Sequence, residues 1–306
     1  MIGPIGPIRP ILNMTILQAI FLGLVQGLTE FIPVSSTAHL VFAARLIDLY
    51  GGADKTLQAE QTTATIAVIQ LGTLLAVLIY FAPDIVNITR AFIVDHLAWL
   101  RGRTTPGEPK LSTDAWLGWL VIIGSIPVGT IGLALKKVIE GPFTKNLWVI
   151  ATMMIVVGVL MTIAELVGKR DHSMDRLTIN DALAVGSAQV LALIPGSSRS
   201  GSTIMGGLFA GLTRETAARF SFLLSIPAIA ASGLLELKEA VAKLPHGSYH
   251  ALAVATVVSG LVGYASIWFL LRYLRTHSTG VFIVYRVIVG VLILVALSLG
   301  YMSASI

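Results

Sequence analysis

Four ionisable side chains stand inside otherwise apolar stretches of this chain: Glu30, His39, Arg199 and Arg286. A charge in apolar surroundings is costly, so each marks a candidate functional position. Gln26 and Glu30 are four residues apart, which on a helix makes them neighbours on one face. A carboxylate beside an amide carbonyl offers hard oxygen donors, the set that Mg²⁺ or Ca²⁺ prefers. Pro33 ends that helix, and Ser35, Ser36 or Thr37 can cap a following one whose first amides favour a phosphate. His39 falls early in this second helix, near the bound anion and suited to proton transfer.

A second stretch, Pro195-Gly-Ser-Ser-Arg-Ser-Gly-Ser-Thr203, supplies complementary chemistry. Gly196 and Gly201 allow close backbone approach, and Arg199 carries a donor fork that matches phosphate oxygens. Ser198, Ser200, Ser202 and Thr203 add hydroxyl donors. No Gly-Lys-Ser/Thr follows at Walker spacing, so this is not a nucleotide loop of that kind. Arg286 lies near one end of the last apolar run, where snorkelling or pairing with a helix terminus is expected.

The elements that carry these residues belong in a bilayer. Hydrophobic residues make up 55% of the chain and charged residues 12%, about half the charge of a soluble domain. Six stretches approach the ~20 residues needed to cross the hydrocarbon as a helix: 61–83, 115–135, 146–165, 217–235, 250–271 and 281–301. In the fourth, Arg219 extends the span by snorkelling. Residues 10–48 and 182–213 are also apolar but are interrupted by the polar motifs, leaving pieces too short to cross alone. Broken helices at membrane depth are tolerated where they line a wet cavity. Both stretches are therefore expected to be re-entrant helix–loop–helix hairpins.

The two interrupted stretches resemble each other. Gly23-x-x-Gln26 followed by Ile32-Pro-Val-Ser-Ser36 has its counterpart in Gly186-x-x-Gln189 followed by Ile194-Pro-Gly-Ser-Ser198. Each precedes three spans. The expectation is an all-α membrane fold, one domain over 1–306, with an inverted repeat of halves near 10–168 and 180–301.

Net charge is +5, but the basic residues sit singly or in pairs between apolar runs, which fits loops against anionic lipid and not nucleic acid. Placing 84–114, 169–180, 214 and 272–280 as connections on one side collects ten basic residues against eight (Arg9, Arg45, Lys55, Lys136, Lys137, Lys145, Lys238, Lys243), favouring that side as cytoplasmic. The absence of cysteine excludes disulfides and thiolate metal sites. Residues 1–10 lack the pattern of a cleaved signal peptide, so the first apolar helix is expected to be retained.

Taken together, Gln26-Gly-Leu-Thr-Glu30, Pro33-Val-Ser-Ser-Thr-Ala-His39 and Pro195-Gly-Ser-Ser-Arg-Ser-Gly-Ser-Thr203 resemble the signature motifs of bacterial undecaprenyl-diphosphatases of the bacitracin-resistance type. The likeness extends to Gln70-Leu-Gly-Thr73, Phe220-Ser-Phe-Leu-Leu224 with Pro227, and Tyr285-Arg286. It implies hydrolysis of undecaprenyl diphosphate, recycling of the lipid carrier for peptidoglycan synthesis, and bacitracin resistance. A divalent cation and a site opening to the outer face of the bacterial plasma membrane are implied too. Partners are then the polyprenyl diphosphate lipid and the bilayer, with room for a homodimer and no nucleic acid.

By position, Gln26 and Glu30 match the acidic metal motif, Ser36 the proposed nucleophile, His39 the proton-transfer histidine and Arg199 the phosphate clamp. Thr37, Gly196, Ser198, Ser200 and Thr203 fall in the phosphate-binding motifs. Ala38 stands where Gly is frequent. Gln26 stands where Glu is frequent, which removes a negative charge beside Glu30. Attack by Ser36 and attack by water activated by Glu30 or His39 both remain open. The rival class is a secondary transporter or flippase for a polyprenyl phosphate, since broken helices in inverted repeats are common there. The other lipid-phosphatase superfamily fits poorly, because Arg199 is followed by no histidine before His246.

Overall fold

The computed structural model describes residues 13–51, 54–102, 111–139 and 146–304. The reading of residues 1–10 falls outside these, as do Arg103, Lys110 and Lys145 of the charge count. The described residues form α-helices and three short 3₁₀ segments, with no strand. Broken pairs are α1 (Ile16–Phe31) with α2 (Ser36–Leu46), and, later, α8 (Ile179–Gln189) with α9 (Arg199–Phe209). Between them come α3 (Lys55–Tyr80), α4 (Ala82–Leu100), α5 (Thr113–Ala134), the short α6 (Lys136–Ile139) and α7 (Leu147–Val167). After α9 follow α10 (Arg214–Lys243), α11 (Tyr249–Leu274) and α12 (Gly280–Ser298).

Local sequence sets the starts of these helices. Thr15 and Gln18 form a capping box on α1, as Thr178 and Asp181 do on α8. Asp54, Ser112 and Thr213 accept first-turn amides on α3, α5 and α10. Five described segments are long and apolar enough to cross a membrane: Thr56–Tyr80, Thr113–Ala134, Leu147–Val167, His246–Leu274 and Gly280–Ser298. The stretch expected at 217–235 is helical within α10 but is not among those five. Arg219 in that helix pairs with Asp84 at 2.6 Å instead of extending alone toward water.

Helix α4 corrects the sequence reading, which has 84–114 as a connection. Pro83 sits in its first turn, where a missing N–H costs nothing. Ile88 and Phe92 pack beside Gly118 of α5, while Val86, Ile93, Val94, Leu97 and Leu100 are exposed. Asp84, Arg90 and Asp95 interrupt the apolar run and hide this two-faced pattern in a search for uniform hydrophobicity.

Helices of the two expected halves lie against each other in matching pairs: α1 packs on α11, and α8 packs on α5. Both contacts use small residues that let backbones approach. A methyl on Gly23 would lie 2.6 Å from the Ala255 carbonyl of α11, and one on Gly186 would collide with Gly124 of α5. The largest apolar core joins Phe31, Phe81, Leu120, Val185, Ile204, Phe220 and Phe222, so it runs beneath both breaks.

Candidate active site

The two breaks share a backbone feature. Ser35 at the N-cap of α2 and Ser198 at the N-cap of α9 both have positive φ, 77° and 67°. For a residue with a side chain this conformation is strained, costing on the order of 1–3 kcal/mol, and such strain gathers at functional sites. Ser198 accepts the Gly201 amide at 3.2 Å, whereas the Ser35 side chain makes no cap hydrogen bond. The first-turn amides of α2 are thus left without a side-chain acceptor from their N-cap.

Glu30, at the end of α1, is the hub. Its Oε1 accepts from Arg199 Nη2 at 2.7 Å, and its Oε2 accepts from Ser36 Oγ at 2.8 Å and Gln26 Nε2 at 3.1 Å. The Glu30 and Arg199 side chains are only 7% and 16% exposed. Thus 169 residues of sequence separation close into one ion pair, and the acid, serine and amide of the first break meet the guanidinium of the second. Arg199 Nη1 is buried with no partner among the described residues, so a donor remains for an anion. Gln26 also donates to Thr73 Oγ1 of α3 at 3.2 Å, which fixes the amide from behind.

His39 lies in the same helix as Ser36 but bonds elsewhere. Its Nδ1 is 2.7 Å from the Ser35 carbonyl, so this nitrogen carries the proton, and its Nε2 accepts from Tyr285 Oη at 2.8 Å. The two rings stack with centroids 5.6 Å apart. No hydrogen bond joins His39 to Ser36 or Glu30 among the described residues; Ser36 donates to Glu30.

The remaining sequence candidates divide. Thr37 is exposed at the first turn of α2. Ser198 and Ser200 lie 3.2 Å apart, and Ser200 reaches the Glu30 and Ile32 carbonyls at 3.4 Å each. Thr203 is fully buried, with its hydroxyl on the Arg199 carbonyl at 2.8 Å and on Ser221, so it supports α9 from the core side. Gly196, with φ of 95°, presses its Cα against the Ile150 backbone of α7, and its carbonyl accepts from Arg286 at 3.0 Å.

For Arg286 snorkelling fails, while pairing beside helix ends holds. Far from snorkelling, it is 0% exposed and is among the largest fully buried side chains. Its guanidinium donates to carbonyls of Pro33 (3.3 Å) in the first break, Gly196 and Ser197 (3.0 and 2.8 Å) in the second, and Met154 (2.9 Å) of α7. The breaks expose carbonyls that no helix can satisfy, and one planar fork of five N–H groups meets them. Thr73 and Tyr285 lie in stretches the family resemblance covers, but their contacts with Gln26 and His39, and this tie, are the parts that sequence reasoning misses.

Among the described residues no group of three or more His, Cys, Asp or Glu is placed to hold a metal ion. The donors at the site are one carboxylate and one amide, with the hydroxyls of Ser36 and Thr73 beside them. Such an oxygen-only set suits Mg²⁺ or Ca²⁺ that takes most of its ligands from phosphate oxygens and water, not from a protein cage.

A sequence profile described as bacitracin resistance protein BacA matches residues 19–292. The undecaprenyl-diphosphatase of Syntrophobacter fumaroxidans (strain DSM 10017 / MPOB) is 52% identical over 277 residues, covering 90% of this chain and 95% of its own. Those of Chloroherpeton thalassium (strain ATCC 35110 / GB-78) and Mycolicibacterium gilvum (strain PYR-GCK) are 48% and 45% identical, each match covering 95% of this chain and 100% of the relative. With the match running through both breaks and the helices that pack on them, the chain belongs to the bacitracin resistance protein BacA family.

Proposed function

We propose that this protein hydrolyses undecaprenyl diphosphate to undecaprenyl phosphate and inorganic phosphate, returning the carrier to cell-wall synthesis and conferring bacitracin resistance. The observation that carries the reading is the single contact group of Ser36, Glu30 and Arg199, a nucleophile, a base and a phosphate clamp drawn from two distant breaks. The relatives' names supply the substrate.

In the mechanism, Arg199 turns its fork to the diphosphate, with Nη1 already free, and the first-turn amides of α2 receive the terminal phosphoryl oxygens. Ser36 Oγ attacks the terminal phosphorus as its proton passes to Glu30 Oε2, forming an Oγ–P bond and breaking the P–O bond to the lipid monophosphate. Water then attacks the phosphoserine phosphorus, the protonated Glu30 returns its proton to Ser36 Oγ as the Oγ–P bond breaks, and the protons of the water leave with the inorganic phosphate. His39, its Nδ1 proton held by the Ser35 carbonyl, enters as a proton acceptor at Nε2 through the Tyr285 hydroxyl. A divalent cation bound with the substrate, held by Glu30 and the Gln26 amide oxygen, would supply charge neutralisation at the diphosphate.

The broken pairs are read as re-entrant: 16 and 11 residues of helix rise about 24 and 16 Å, short of a core ~30 Å thick. The site is assigned to the outer face of the plasma membrane, as the family resemblance implies, and the halves to an inverted repeat. A phosphate-release assay in detergent on wild type, Ser36→Ala, Glu30→Ala and Arg199→Ala, with and without chelator, tests this. Release by wild type alone is expected. No release by wild type favours the transporter reading, and full release by Ser36→Ala removes the covalent step.

A further inference from the structure

Where the C-terminal ends of α3 and α11 meet the first turns of α10, a cavity of about 90 Å³ is lined by Tyr80, Glu215, Arg219, Trp268, Arg272 and Arg275. None of these bonds to Glu30, Ser36 or Arg199. Arg219 is paired with Asp84 at 2.6 Å, and Arg275 with Glu215 at 2.8 Å. Arg272 makes no ion pair with a described residue; its guanidinium lies 5.9 Å above the Trp268 ring. Three guanidiniums against two carboxylates leave one positive charge uncompensated at a cavity the size of a small anion.

The surface beside the cavity is apolar and aromatic. Val257, Leu261, Tyr264 and Trp268 are 61%, 69%, 45% and 53% exposed. Their spacing places them in one stripe along α11 that ends at the cavity. Tyr80 and Tyr264 pack at 5.2 Å, forming an aromatic level below the arginines. Arginines that merely snorkel would diverge into water. Here two are pinned by carboxylates and the third rests on an indole, so their positive edges stay gathered.

We propose that this cavity binds the phosphodiester headgroup of an anionic phospholipid, with Arg272 and Arg275 on the phosphate and an acyl chain along the α11 stripe. The site is separate from the hydrolytic centre and does not depend on the reading of that centre. Basic pockets between membrane helices bind acidic headgroups by this combination of charge and apolar surface.

The test uses full-length protein in nanodiscs containing brominated phosphatidylglycerol or brominated phosphatidylcholine. The difference in quenching between wild type and Trp268→Phe isolates the Trp268 signal. Phosphatidylglycerol should quench it more strongly than phosphatidylcholine. Arg272→Gln should weaken the phosphatidylglycerol affinity about five-fold, the equivalent of about 1 kcal/mol per basic residue at low salt. Arg272→Gln breaks no ion pair and should keep wild-type phosphate release, so loss of folding does not obscure the result. Equal quenching by both lipids, or unchanged preference in Arg272→Gln, would overturn the proposal. Displacement of the lipid by millimolar inorganic phosphate would also overturn it, by making the cavity a free-anion site.

Discussion

Substituting Glu30 and Arg199 by methionine, singly and together, separates what their ion pair does for stability from what it does for chemistry. The pair is 2.7 Å long between side chains 7% and 16% exposed, so removing either partner strands a charge in poorly solvated surroundings, at about 3–5 kcal/mol. The two single losses are unequal. Without Arg199, Glu30 keeps Ser36 and Gln26 as donors, and hydrogen bonds to a charged acceptor contribute about 1.5–3 kcal/mol each. Without Glu30, Arg199 loses its described carboxylate partner while Nη1 already lacks one.

Glu30→Met should therefore fall near 5 and Arg199→Met near 3, as rough values within that range. The double variant strands no charge and should be less destabilised than Glu30→Met alone. Reversible unfolding in detergent micelles measures all three, and phosphate release on the same samples should stay at background throughout. Additive costs, or Arg199→Met as the worse single change, would refute the arrangement of donors around Glu30.

Three further outcomes follow from neighbouring geometry. Arg286→Met leaves the three break carbonyls of Pro33, Gly196 and Ser197 without this donor, at about 1 kcal/mol or more each, so a loss of roughly 3 kcal/mol should appear as a collapse of thermal stability. Gly196→Ala forces a methyl into the Ile150 backbone at φ of 95°, and it should cost at least about 2 kcal/mol and lower Tm sharply. Tyr285→Phe removes one hydrogen bond to His39 and little volume, so stability should hold. Its kcat should fall about ten-fold, the effect of ~1.4 kcal/mol, with KM unchanged and an altered pH profile.

Glu30, Gln26 and Arg199 are legible in the sequence for a common reason. Charge in an apolar run is a strong signal, and the four-residue spacing fixes the Gln26–Glu30 contact, which the structure has at 3.1 Å. Position after Pro33 leaves Ser35, Ser36 and Thr37 as equals, and Ser36 is singled out by the family resemblance. Tyr285 and Thr73 give no such signal, because a neutral hydroxyl inside an apolar helix looks like any interfacial residue until its partner across the bundle is known. Arg286 is visible as a charge but its full burial is not, since its partners are backbone carbonyls from three distant segments and backbone leaves no mark in residue types. Thr203 and Gly196 sit in the right motif yet serve packing, because helix rotation decides which side of α9 and of the break meets the pocket. Helix α4 is missed for the opposite reason: its charges are real, but they interrupt only part of the surface.

The guanidinium shared by Pro33, Gly196 and Ser197 bears on how this molecule can move. Carriers that alternate between membrane faces swing one bundle against the other around a fixed ligand, and the swing passes through the point where the broken segments face each other. Here that point is riveted by a fully buried cation, with α1 packed on α11 and α8 packed on α5. Any such swing would have to shear those buried hydrogen bonds. Such a scaffold favours holding a charged headgroup still while a bond is cut, and delivery of the next lipid then falls to lateral diffusion in the leaflet that the pocket faces.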